Sequence, residues 1–223
     1  RFGIKLEHKF SENTSILFEP QVNFGYGNYE EYSDFTTLKY RAAQNDTIKN
    51  NDGFNSTSGF NRNWTASGRI LLRQKLGKPG RTLSLNVRYS FSGNTLKDAL
   101  NQSLTRNYDE DGNLLTAADT VNQRINSISN SQSVNARLSY TEPLGHDFYL
   151  EASYRYAWAR SYSDKDAFES GDTDGFSAEH HPYNPVGEAL DNTYSSEITN
   201  ISQRHNGGVN IQYQKGKLRA QIG

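Results

Sequence analysis

Several groups of residues in this 223-residue chain have types and spacings that could do chemistry. Asn107, Asp109, Asp111 and Gly112 fit four positions of a D-x-[DN]-x-[DN]-G calcium loop, but the twelfth position, which should bring a bidentate Glu, is Ala118. The stretch Asp109-Glu110-Asp111-Gly112-Asn113 reads better as a tight hairpin tip. Asp164, Asp166, Glu169, Asp172, Asp174 and Glu179 form an acidic cluster that suits a surface calcium ion or, more simply, a solvated charged loop. His180 and His181 are adjacent, and neighbours in an extended segment point apart, so one metal rarely takes both. His205 reads as a polar rim residue: no nucleophile elbow and no fixed acid–His spacing accompanies it. The chain has no Cys, which excludes a disulfide framework and a thiolate metal site. No catalytic residue, metal or cofactor is expected, and the chain is not expected to be an enzyme.

A different set of charges carries more information. Arg69, Arg88, Arg137, Glu151 and Arg155 each sit inside a run in which apolar and polar residues alternate. Val134, Ala136, Leu138 and Tyr140 alternate with Asn135, Arg137, Ser139 and Thr141. After the turn at Pro143 to Asp147, Phe148, Leu150, Ala152, Tyr154, Tyr156 and Trp158 alternate with Tyr149, Glu151, Ser153, Arg155, Ala157 and Ala159. Side chains switch faces with period two in a strand, so this is a β-hairpin with one apolar and one polar face.

Stepping along the chain, the same pattern predicts eight strands, near 2–10, 15–28, 61–76, 82–92, 131–141, 148–163, 203–214 and 218–222. Pro20, within the second, removes a ladder donor and predicts a bulge or a locally unpaired position. Short turns near 12, 79, 145 and 216 alternate with long polar insertions at 29–60, 93–130 and 164–201. Loops of about 30–40 residues would be anomalous in a compact soluble domain. Short turns on one rim and long loops on the other is the layout of a transmembrane β-barrel.

Composition agrees. Only 34% of residues are hydrophobic, yet there are 14 Tyr and 11 Phe, and the mean hydropathy is −0.85. A barrel needs only alternate strand residues to be apolar, and it needs aromatics at the interfaces. No run approaches the roughly 18 apolar residues of a membrane helix. With 24 basic and 25 acidic residues, no charge excess points to nucleic acid.

The charges choose the face. Inverting the register of the strands that carry Arg88, Arg137 and Arg155 would place three Arg in lipid, at about 2–4 kcal/mol each near the midplane. The apolar faces therefore meet outer-membrane lipid, and Arg69, Arg88, Arg137, Glu151 and Arg155 face the lumen. Tyr140, Phe148 and Tyr213, near short turns, predict a periplasmic girdle. Tyr26, Trp64, Phe91, Tyr156 and Trp158 predict the outer one, because Tyr and Trp favour interfaces where one end is wet.

The run Tyr140-Thr141-Glu142-Pro143-Leu144-Gly145, followed by Phe148-Tyr149-Leu150-Glu151 and Tyr154-Arg155-Tyr156, resembles the outer-membrane β-barrel family of Bacteroidota TonB-dependent receptors. The turn Tyr213-Gln214-Lys215-Gly216-Lys217-Leu218 is similar to a later hairpin of that family. The resemblance implies a Gram-negative outer-membrane location, a wall of about 22 strands around a plug, and import of an unknown small-molecule nutrient driven by a TonB-type energy-transducing complex. The expected architecture is all-β: residues 1–223 as one antiparallel up-and-down barrel region, partial, without its plug or signal peptide. The alternatives are a self-contained eight-stranded barrel acting as adhesin or anchor, and, less favoured, a barrel hydrolase.

Overall fold

The computed structural model describes residues 1–145, 147–171, 183–216 and 218–223, with residue 117 described by its backbone only. Among them there is no helix. Ten strands form a single antiparallel sheet: β1 (Phe2–Gly3), β2 (Leu6–Lys9), β3 (Thr14–Arg41), β4 (Asp46–Lys75), β5 (Thr82–Tyr108), β6 (Leu114–Gly145), β7 (Phe148–Glu169), β8 (Ala189–Leu190), β9 (Ser196–Lys215) and β10 (Leu218–Ile222). The order is β1-β3-β4-β5-β6-β7-β9-β10, with β2 also on β3 and β8 also on β7. Each long strand pairs with its sequence neighbour, which is the up-and-down topology expected. The sheet is not closed: β1 and β10 lie at opposite ends of the order.

All eight expected strands are present. The first is divided into β1 and β2, and the cause is Pro20. The register Phe2–Val22 and Gly3–Gln21 resumes at Leu6–Phe18, so the gap falls opposite Pro20, whose nitrogen carries no hydrogen to donate. Its carbonyl still accepts from Ile4, at 3.1 Å. On its other side Pro20 pairs with Gly68 without a bulge.

The polar insertions at 29–60 and 93–130 are not loops. Residues 29–41 and 46–60 continue β3 and β4 in almost unbroken register, and residues 93–108 and 114–130 continue β5 and β6. The turns between them span only 42–45 and 109–113. These arms lack an apolar stripe because neither face meets lipid, while the backbone ladder still satisfies their N–H and C=O groups. The third insertion is partly strand: β7 runs to Glu169, β8 pairs with it, and β9 begins at Ser196.

Register alone gives the strand tilt. Ser15, Arg73, Ser84, Ser139, Ser153 and Gly208 form one row across β3 to β9. The short turn lies one residue below this row on β3, where the strand begins at Thr14, and seven below it on β9, where the strand ends at Lys215. Five strand steps cover about 24 Å across the sheet, and six residues cover about 20 Å along it. A level rim then requires strands tilted by about 40°, within the roughly 35–45° of transmembrane barrels.

Apart from Leu71, the buried apolar side chains of the described residues lie outside this tilted band. Phe54 (2% exposed), Ala99, Leu104 and Ala167 are buried in the outer arms, whereas Leu85, Leu138, Tyr154, Val209 and Ile211 stand exposed on the apolar face. The packed core belongs to the part outside the membrane, and the band leaves its apolar surface open for lipid.

Candidate functional site

The polar face is the concave one. An open hollow of about 1350 Å³ is lined from β2 across to β7, by Glu7, Arg69, Arg73, Asn86, Arg137 and Glu151 among others. Groups on strands so far apart can share one hollow only if the sheet curls toward that face, so these residues line the inside of a wall.

The cross-strand pairs put all five expected lumen residues on this face. Arg69 stands directly opposite Arg88, and Arg137 directly opposite Arg155. Arg69 donates through Nε to Asn86 Oδ1 at 3.3 Å. Arg137 donates to Glu151 at 2.9 Å, and Gln212 donates to the other oxygen of Glu151 at 2.8 Å. Arg137 and Glu151 thus pair across strands, but the two direct arginine pairs are like-charged.

Counting from the short turns shows where these groups lie in height. Arg69 is six residues from Lys75, Arg88 six from Thr82, Arg137 eight from Gly145, and Arg155 seven from Phe148. A membrane strand needs about 9–11 residues. The four arginines therefore form a nearly level band just past the middle of the wall, although their hydrogen-bond rows differ. Alternation in β4 also puts Arg73 on this face, and it lines the hollow; sequence reading missed Glu19 in the row of Arg69 and Arg204 in the row of Arg88. Alternation within β9 could have found Arg204. Leu71 also faces inward and is buried, which the alternation predicts and the stripe of Ile70 and Leu72 obscures.

The aromatics fall at two heights. Phe148 starts β7, Tyr213 lies two residues from the end of β9, and their rings meet at 4.9 Å. Tyr140, five residues above Gly145, reaches back to donate to Glu142 at 2.5 Å. At the outer level, Tyr26, Trp64, Phe91, Tyr156 and Trp158 lie eight to twelve residues from their short turns. Trp64 covers Gly93 opposite it, where a Cβ would come within 2.3 Å of the indole nitrogen. His205 lies on the outward face, ten residues from Lys215 at the end of β9, with its Nδ1 2.7 Å from Tyr154 Oη and its ring against Tyr156.

At the short-turn rim, Glu142 binds Arg81 through both oxygens at 2.7 and 2.8 Å and also meets Lys78. The Arg81 bonds, then that from Tyr140, hold its carboxyl down at about 2. In the outer arms a second cluster ties down the segment before β9. Arg124 of β6 binds Glu188 and Asp98 and lies over the ring of Phe168, 4.4 Å from its centroid. Tyr183 donates to the same Glu188 at 2.5 Å. Burial, then that hydrogen bond, pushes the Tyr183 phenol up to about 12, while Arg124 draws the Glu188 carboxyl below its usual range.

The calcium-like loop is a hairpin tip. Asp109 Oδ1 accepts from the backbone N–H of Asp111 and Asn113, and Oδ2 from the Asn113 amide, so the carboxylate caps its own turn. Gly112 supplies the required positive φ of 83°. Asp172, Asp174, Glu179, His180 and His181 lie outside the described residues, and the question of calcium at the acidic cluster goes with them.

The model of the outer membrane protein beta-barrel family matches residues 74–223, from the end of β4 to the last strand. No curated protein and no solved structure matches the chain. The family places the wall in the bacterial outer membrane.

Proposed function

We propose, from the premise that the chain belongs to the outer membrane protein beta-barrel family, that it forms part of the wall of a Bacteroidota TonB-dependent receptor importing a scarce nutrient. The observation that carries this reading is a curled sheet with two open edges and a wet, polar inner face. In lipid, edge N–H and C=O groups must be paired, so such a sheet calls for further strands. An eight-stranded barrel instead closes on an interior just wide enough for side chains to fill. That disfavours the self-contained adhesin or anchor.

In this reading the outer arms of β3 to β6 stand beyond the membrane and meet the solute first. The inner wall then faces a plug and the solute path, and a TonB-type complex supplies energy through the plug. His205, the residue a barrel hydrolase would most need among the described histidines, binds a tyrosine on the lipid side, which gives that alternative no support. Crosslinking the full-length protein to the periplasmic domain of the inner-membrane energy transducer tests the reading. A specific crosslink at a segment preceding the barrel supports it; none, under conditions where a known receptor crosslinks, overturns it.

A further inference from the structure

We propose that the arginine band inside the wall is a seat for oxyanions, so that the solute taken up carries carboxylate, phosphate or sulfate groups. This rests on the importer reading and adds the class of solute to it.

The argument begins with an electrostatic conflict. Like charges directly opposite each other on one face of a sheet are destabilising, yet Arg69 faces Arg88 and Arg137 faces Arg155. Directly opposite residues have Cβ atoms about 5 Å apart, inside the Debye length of about 8 Å at physiological ionic strength, so salt screens such pairs only in part. Glu151 compensates Arg137, and Glu19 stands beside Arg69 in the row but contacts Lys5 instead, at 3.9 Å. Among the described residues, no carboxylate lies within ion-pair distance of Arg69, Arg88, Arg155 or Arg204.

The second observation is geometric. The four band arginines come from four consecutive strands, at six to eight residues from the short turns. Because the strands tilt, residues in different hydrogen-bond rows arrive at one height. The four arginines thus stand at one level of the inner face, where Arg69 and Arg137 line the hollow and Arg88 and Arg155 are their direct cross-strand neighbours. A guanidinium fork matches the two oxygens of a carboxylate or phosphate, which a single ammonium does not.

The third observation is what borders the band. Toward the outside, the next inward-facing rows are neutral: Ser67, Ser90 and Ser133 in one, Thr65, Ser92 and Ser131 in the next. Hydroxyls there can hydrate or pass a polar solute without holding it, so a solute that has crossed these two rows next meets the arginines.

The test uses full-length receptor purified in detergent and titrated calorimetrically at low ionic strength with pyrophosphate, citrate and, as a neutral control, maltose. The variant is Arg88→Gln with Arg155→Gln; both side chains are exposed and neither supports a neighbouring strand. The expected result is saturable binding of pyrophosphate or citrate, no binding of maltose, and about tenfold or greater weakening in the variant with its thermal midpoint unchanged. Pyrophosphate alone assigns phosphate chemistry, and citrate alone assigns carboxylate. Equal binding by variant and wild type, binding of maltose as tight as the anions, or no anion binding by the wild type overturns the proposal. No anion binding together with a lowered thermal midpoint in the variant would show that the receptor's own acidic groups occupy the band, which also overturns it. The titration needs no energy transducer, so its failure and a failed crosslink are separate results.

Discussion

The membrane band and the outer arms are made of the same strands, yet they solve opposite problems. In the band, Leu85, Leu138, Tyr154 and Ile211 remain exposed on one face while arginines gather on the other. In the arms, Phe54 and Leu104 are buried, and charges such as Arg124 are clamped between neighbours. A strand crossing lipid turns its apolar side chains outward because the solvent there is apolar. A strand standing in water must bury them against its own chain. The ladder is continuous through both regions, so the difference lies in side chains alone.

The comparison breaks most sharply with a charge on each side of the band. Leu85→Arg should destabilise the folded barrel by about 2–4 kcal/mol near the midplane, whereas Ser90→Arg, on the inward face between Ser67 and Ser133, should change it by about 0.5 kcal/mol or less. Urea unfolding in lipid vesicles, followed by heat-modifiable gel mobility, reads both. Equal effects at the two positions would contradict the face assignment.

The arms respond to a different substitution. Arg124→Ala removes a guanidinium bonded to Glu188 and Asp98, and should loosen residues 183–195 by about 2 kcal/mol. Hydrogen exchange would show that loss locally, with the band unaffected. Loss of protection throughout β5 to β9 would mean that arms and band are one cooperative unit.

How much of this was legible from the sequence follows from the same division. Alternation reveals a strand only where its two faces meet different solvents. It therefore located residues 82–92 and 131–141 and stopped where neither side meets lipid, leaving β3 to β6 looking half their true length. The tip at Asp109 to Asn113 was legible because turn chemistry is local. The turn at 42–45 was not: its marker is a lone Asn45 at φ 53°, without Gly or Pro. Arg124 and Glu188 are 64 residues apart and no local pattern joins them. The lumen face of Arg69, Arg88, Arg137 and Arg155 was readable from parity, but their common height needed the register.

The smallest effect is expected at the short-turn rim. The Glu142 carboxyl is depressed to about 2 by Arg81 and Tyr140. A depressed carboxyl contributes stability that is fully present above its unfolded value near 4.5 and is lost as pH falls toward 2. Glu142→Gln should therefore flatten the acid limb of a stability–pH profile in that window and leave neutral pH nearly unchanged. A profile identical to wild type would show that the pair contributes nothing to folding.

The claim on which everything else depends is that the concave polar face is the lumen and the apolar face meets lipid. Spin labels placed one at a time at Leu85, Val87 and Leu150, and at Asn86, Arg88 and Glu151, in the full-length protein in lipid vesicles test it directly. Collisional relaxation should be dominated by oxygen at the first three positions and by a water-soluble nickel chelate at the last three. The reverse pattern would contradict the account.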